Sequence, residues 1–460
     1  MNQNVFINTL RSRKNTSDQK LFSGILIRWQ LLSHAEKVVC LGIILIPLWW
    51  FISWGMMLLF WVIGIGICEL WNHKTIRLSK PSLEVIAILL FATYTVISRG
   101  TNSTEVTLRL LLDPLFDFGS AGLLLWYIQS HKIRVRLQVA AWAFFIVICL
   151  MVVWWAFFHF VLFEPYYTPP RTLYALFTDK GAYNPNQLGS VGSFLVPYYP
   201  NDKSFAGLAR HTFFFPHPTV SSFAIGFAGL IFLDLKNRYV SSGLALICVF
   251  LILIAQTRNA WVALSIVLVV RWLVVSGRER GITFLLMLFA ITIFVTFSIP
   301  QVTDYVTETY TNSVEATSNL RKESTEGRQL IYERTWQRFI AEPLLGHGVN
   351  GPSVTPGYEF ARIGTESFIL GTLLYKSGLL GTGVFLTFYI SFLGQLYQTR
   401  HDRPICVFMM LLYLSLAATV TEFMGPELFI PLLCTTLQVP NTNQLKTHVK
   451  RKSINMTDII

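Results

Sequence analysis

Five side chains in this 460-residue chain have the type and setting to do chemistry: Arg210, Arg258, Arg328, His347 and Glu366. Arg210 ends a stretch rich in Pro, Tyr, Asn and Gly and is followed by His211-Thr212-Phe213-Phe214-Phe215-Pro216-His217-Pro218, where a long apolar run begins. An arginine at that edge can grip a phosphate in a fork of parallel N–H bonds that lysine cannot copy; the plainer alternative is a snorkelling interfacial arginine. Thr257-Arg258-Asn259-Ala260-Trp261 is the sole polar break between Val240 and Val270, so two helices turn there. A charge in so short a hairpin needs a partner or a water-filled cavity, unless the turn is merely topological.

Glu326-Gly327-Arg328 precedes an amphipathic helix whose Tyr332, Trp336, Phe339 and Ile340 share one face. It stops at Glu342-Pro343-Leu344-Leu345-Gly346-His347-Gly348, where Pro and Gly end helices. Ile363-Gly364-Thr365-Glu366-Ser367 then opens a segment, 366–376, too short to span a bilayer. It reads as a helix lying on the outer surface with Glu366 in its first turn, where a carboxylate also suits the helix dipole. His211 and His217 bracket two prolines without the spacing of a metal pair. Arg109, Asp113 and Asp117 recur at i, i+4 and i+8, either a proton path or a structural ion pair. No HExxH, P-loop or Gly-x-Ser-x-Gly is present.

The elements that position these residues follow from composition. The chain is 53% hydrophobic and only 13% charged, with mean hydropathy +0.51, which excludes an ordinary soluble enzyme. Its apolar runs are of membrane-spanning length, since about 20 helical residues cross about 30 Å of hydrocarbon. Ten runs plus two short helices turning near Ser53 to Gly55 predict an all-α polytopic membrane protein with about 12 transmembrane helices. The expected organisation is a basic cytoplasmic amino terminus (1–37), helices 1 to 5 (38–162), a first long outward loop (163–215), helices 6 to 9 (216–299), a second long outward loop with amphipathic helices (300–377), helices 10 to 12 (378–439) and a cytoplasmic tail (440–460). With the amino terminus inside, most of the 37 Lys and Arg fall on the cytoplasmic side. The charge of +12 is thus a topology signal, and no nucleic acid partner is expected. All six cysteines lie in apolar runs, so no disulfide framework is expected. The polar, basic first 37 residues have no cleavable leader pattern, and the first span is expected to serve as the anchor.

The order of these features resembles the O-antigen ligase and polymerase family of bacterial envelope glycan assembly. The matching residues are the Arg210 turn, Arg258-Asn259-Ala260-Trp261, the Arg328 helix running into Pro343-Leu344-Leu345-Gly346-His347-Gly348, and Gly378-Leu379-Leu380-Gly381. The resemblance implies a glycosyltransferase-C-like bundle of the bacterial inner membrane with both termini cytoplasmic. It implies transfer of a glycan from an undecaprenyl-pyrophosphate carrier to a glycan, lipid or protein acceptor, with no metal and no cofactor. Arg210 and Arg258 would hold the pyrophosphate, Arg328 would assist, and Glu366 or the nearby His347 would accept the acceptor's proton. The family's ligases place a histidine, commonly followed by asparagine, where this chain has Thr365-Glu366-Ser367. Two other classes compete: a solute or bicarbonate-like ion transporter built on the Arg109–Asp113–Asp117 stripe, and a non-catalytic scaffold. A transporter needs polar groups near the midplane from several helices, whereas an enzyme needs Arg210 and Arg258 at the outer surface.

Overall fold

A computed structural model describes residues 21–24, 26–103, 107–162, 168–177, 193–199, 208–280, 322–354, 361–423 and 425–439. It is mostly helical. Among the described residues, seven helices are long and apolar enough to cross a membrane: Trp54–Asn72, Leu83–Asn102, Leu110–Ser130, Leu137–Phe160, Arg238–Ala255, Arg258–Val275 and Phe368–Gln398. A pair bent by 59°, His34–Ile44 with Ile46–Ile52, makes an eighth if it forms one span, and Pro218–Phe232, Ile405–Ala417 and Glu427–Thr436 are shorter apolar helices. Helices thus coincide with every expected apolar run except 281–299, which lies outside the described residues, as do 1–20 and the tail from 440.

The helices that build the site are α1 (His34–Ile44), α2 (Ile46–Ile52), α3 (Met57–His73), α4 (Leu83–Asn102), α5 (Leu108–Pro114), α6 (Ser120–Ser130), α7 (Leu137–Phe160), α8 (Pro218–Phe232), α9 (Arg238–Ala255), α10 (Arg258–Arg280), α11 (Lys322–Ala341), α12 (Ser377–Gln398), α13 (Ile405–Ala417) and α14 (Gly425–Thr436). Two π-helical segments interrupt the regular winding, Leu115–Gly119 between α5 and α6 and Phe368–Lys376 before α12. They meet in the core. Phe118 and Phe368 lie 6.2 Å apart, and both join Phe91 of α4 and Phe385 of α12 in a ring cluster with centroid separations of 5.0 to 5.2 Å. In lipid such packing, rather than the hydrophobic effect, holds helices together.

Polar clamps fix the ends. Ser33 and Glu36 form a capping box on α1, and Glu36 also pairs with Arg136 at 2.6 Å, tying α1 to the start of α7. Arg271 of α10 pairs with Asp234 at 2.6 Å, and Asp234 accepts from the Cys406 amide, linking α10 to α13. Small two-stranded pairings close the loops; in one, Tyr198–Tyr199 runs antiparallel to Arg210–His211 with Tyr199 opposite Arg210.

Candidate functional site

Arg210 sits on that short strand, 7% exposed, so it does not snorkel. Its anchor is the end of α9. Gln256 takes left-handed backbone angles (φ 52°) at the helix C-cap, which ends the helix and leaves its last carbonyls without intrahelical donors. Arg210 Nε donates to the Ala255 carbonyl at 3.1 Å and Nη2 reaches Thr257 Oγ1 at 3.5 Å, while Gln256 Nε2 donates to the Leu208 carbonyl at 2.8 Å. A cation at a helix C-terminus is electrostatically favoured. Arg258 begins α10 one turn away, where the helix dipole is positive, so its guanidinium and the adjoining amides together favour an anion.

Below Arg210 the chain dives into the core. Phe213, Phe214 and Phe215 are all buried, Trp54 Nε1 donates to the Phe214 carbonyl at 2.9 Å, and Trp54 stacks on Phe215 at 4.9 Å. His217 caps α8, its Nδ1 accepting from the Thr219 amide at 3.2 Å. It acts as a cap; among the described residues no three His, Cys, Asp or Glu groups gather as a metal-ligating set.

The second part of the site is a loop clipped onto α11. Arg328 Nε meets Glu366 Oε2 at 3.1 Å, Tyr332 donates its hydroxyl to the Glu366 carbonyl at 3.4 Å, and Thr335 Oγ1 accepts from the Gly364 amide at 3.0 Å. These three positions follow at i, i+4 and i+7, one face of a helix. Glu366 itself has φ 69°, a left-handed conformation that is strained for a residue with a Cβ and concentrates at functional sites. It precedes Ser367, the true N-cap, whose hydroxyl accepts from the Leu370 amide. Glu366 is therefore outside the first helical turn and is not a dipole partner. Nor does the following segment lie on the surface: Phe368, Gly371, Leu373, Tyr375 and Lys376 are buried, because its apolar side chains fill the ring cluster.

The two parts converge electrostatically. Burial pulls the Arg210 guanidinium down to about 10; Tyr199 opposes the shift, and the positive charges of Arg328 and Arg258 deepen it. Burial also pushes the Tyr332 phenol up, with Arg328 opposing and Glu366 adding. The charges of Arg210, Arg258 and Arg328, from three separate elements, thus act on one another, and Glu366 pairs with Arg328.

His347 stands elsewhere. Its ring stacks on Tyr375 at 4.3 Å and its Nε2 lies 3.8 Å from Glu342; none of its described contacts is with the three arginines or Glu366. Its motif has a structural role instead. Gly378 (φ 62°) puts a kink in the first turn of α12, and the amides of His347 and Gly348 donate to the carbonyls of Tyr375 and Lys376 at 2.9 Å, while those of Leu379 and Leu380 donate to Pro343 and Leu344. Pro343-Leu344-Leu345-Gly346-His347-Gly348 and Gly378-Leu379-Leu380-Gly381 are two halves of one backbone clasp, which Tyr94 of α4 closes by reaching the Leu345 and Ser377 carbonyls at 2.8 and 2.9 Å.

Two further expectations are revised. The apolar face of α11 divides: Phe339 packs inward and Tyr332 is partly buried, whereas Trp336 is 47% and Ile340 58% exposed. The Asp113–Asp117 stripe is not confined to one span, since the π-segment rewinds it toward Arg99 of α4, Glu422 and Glu427, and Glu422 pairs with Lys376 at 2.8 Å. The side chain of Arg109 lies outside the described residues. The site residues missed by sequence reasoning, Tyr332 and Thr335 as clips and Gln256 as the C-cap, carried one usable signal, the i, i+4, i+7 spacing from Arg328.

No curated protein matches the chain. A family model described as O-antigen ligase matches residues 243–371, which run from α9 through the Arg258 turn and α11 to the loop bearing Glu366. That stretch contains Arg258, Arg328 and Glu366 in the arrangement just described, and over it the chain is similar to the O-antigen ligase family.

Proposed function

We propose that this protein is a glycosyltransferase of the bacterial inner membrane that moves a glycan from an undecaprenyl-pyrophosphate carrier to an acceptor hydroxyl on the outer side. The observation that carries this reading is the convergence of Arg210, Arg258 and Arg328 from three elements, with Glu366 held on Arg328. The acceptor oxygen attacks the anomeric carbon, the bond to the pyrophosphate oxygen breaks, and undecaprenyl pyrophosphate leaves with the electron pair. Negative charge grows on the leaving group, and fixed cations aimed there stabilise the transition state more than the ground state. Glu366 accepts the hydroxyl proton through the oxygen that Arg328 does not engage and passes it to water. Ligation and polymerisation share this donor half-reaction and differ in the acceptor: a ligase attaches the finished glycan to a lipid or protein, and a polymerase joins glycan repeats.

The test is transfer from an undecaprenyl-pyrophosphate donor by the purified protein in lipid, beside Arg258→Lys. Lysine keeps the charge and loses the fork. Transfer by the wild type and a drop of about 100-fold in the variant is the expected result; equal rates would remove the phosphate-binding role.

A further inference from the structure

A cleft of about 340 Å³ opens beside the site, lined by Arg334, Gln337, Arg338, Ser353, Val354 and Ile363. We propose that it binds a carboxylate-bearing sugar unit of an anionic acceptor glycan, an inference that rests on the glycosyltransferase reading. The volume falls at the lower end of small-ligand pockets, ~300–1,000 Å³.

The cleft is basic by construction. Arg334 and Arg338 sit at i and i+4 on α11, adjacent like charges that repel. No ion pair joins either to an acidic side chain among the described residues. The helix C-terminus accounts for Arg338 but not for Arg334. The opposite wall is ordered: Ser353 pairs with Arg362 across an isolated bridge, and Arg362 Nε donates to the Gly351 carbonyl at 3.1 Å. Guanidinium groups match carboxylates as planar forks.

The faces of α11 decide what reaches the cleft. At about 100° per residue, Arg328, Tyr332 and Thr335 point to the Glu366 loop, as their contacts show. The exposed apolar residues Trp336 and Ile340, continued by Leu344 and Leu345 (both 62% exposed), form a second side of the kind that beds on lipid. Arg334 and Arg338 lie roughly 160° around the helix from Trp336 and Ile340. The cleft therefore opens away from the lipid-facing side, which favours a water-borne anion over a phospholipid headgroup. Its position suits an acceptor: Ile363 lines the cleft three residues before Glu366, and Arg334 is about 9 Å along the helix axis from Arg328. A glycan seated there extends its next sugar toward the Glu366 carboxylate.

The experiment measures binding without turnover. Fluorescent trigalacturonate and neutral maltotriose are titrated against the full chain in phosphatidylcholine nanodiscs, for the wild type, Arg334→Gln/Arg338→Gln, Arg334→Lys and Arg258→Lys. The expected result is at least tenfold preference for trigalacturonate, lost in the double variant, reduced in Arg334→Lys and kept in Arg258→Lys. Equal affinity for both sugars, or unchanged binding in a double variant that melts like the wild type, overturns the proposal. So does abolition of trigalacturonate binding when phosphatidylglycerol is added to the nanodiscs, which assigns the cleft to lipid headgroups. Binding as expected in a protein that transfers to no acceptor would sink the glycosyltransferase reading and leave the cleft standing.

Discussion

The two parts of the site are built on opposite principles. The turn carrying Arg210 and Arg258 is made from helix ends: Arg210 is 7% exposed and bonded to the C-terminal carbonyl of α9. The Arg328–Glu366 part is a loop laid on an amphipathic helix, with side chains 32% and 33% exposed. A cation fixed by buried backbone cannot relax when charge develops in front of it, which makes an electrostatic stabiliser effective. A carboxylate one-third exposed on a clipped loop suits proton transfer from an acceptor that must enter and leave. Under the proposed function, donor charge belongs to the buried part and acceptor chemistry to the accessible part.

The most severe way to break that division is Arg210→Lys. It should lower transfer by about 10² to 10³-fold, and because it also removes the Nε bond to the Ala255 carbonyl and the Nη2 contact with Thr257 it should reduce stability by about 1–3 kcal/mol. Arg328→Lys should do neither to that extent. Equal losses in rate and melting temperature for the two variants would erase the distinction.

Acid should also discriminate between the parts. His211, beside Arg210, is 3% exposed, and burial together with His159 lowers it to about 4. The unfolded chain takes up a proton near pH 6.5 while the folded one stays neutral, so stability rises with pH across that window and is lost as pH falls from about 6.5 toward about 4. The loss reaches up to about 3 kcal/mol. Melting curves of the wild type and His211→Phe at pH 7 and 4.5 check this: the variant should show the smaller decline, and parallel declines would dismiss His211 as the source.

Much of the Arg210–Arg258 part was legible beforehand. A lone arginine between two apolar runs, as Arg258 is, has few explanations in a membrane protein, and Arg210 stands where a polar loop meets an apolar run. What could not be read was the partner of each: that Ala255, 45 residues on, would take the Arg210 guanidinium depends on the left-handed cap at Gln256, a conformation few glutamines adopt. The accessible part was harder. The Pro343–Gly348 and Gly378–Gly381 motifs suggested chemistry around His347, yet glycines there serve positive φ angles at Gly346, Gly348 and Gly378 and the close approach of two backbones. Hydropathy likewise could not foresee the π-segments, which turn the Asp113–Asp117 stripe into a network of several helices. Burial of 366–376 escaped notice because short apolar segments lie on surfaces and in cores with the same composition.

Glu366→Gly sharpens the comparison from the other side. Glycine accepts φ 69° without strain, a relief of about 1–2 kcal/mol. Set against it are the lost ion pair, about 0.2–1 kcal/mol, and glycine's unfolded-state freedom, about 0.5–1 kcal/mol. Stability should therefore hold or rise slightly while turnover falls by about 10²-fold with loss of the base. A melting temperature that holds or rises with a loss of rate is the signature of strain kept for function. Unchanged turnover would remove Glu366 from the chemistry.

The smallest effect concerns the ion pair itself. Because both partners are about one-third exposed, a double-mutant cycle of Arg328→Gln and Glu366→Gln should give a coupling in stability of only about 0.2–1 kcal/mol. The same cycle read on turnover should show the two changes strongly non-additive, since once Glu366 cannot accept a proton its positioning by Arg328 no longer matters. A large stability coupling with additive kinetics would make the pair a structural clamp, shift the proton acceptor to another group, and leave the arginines of the turn as the functional half of the site.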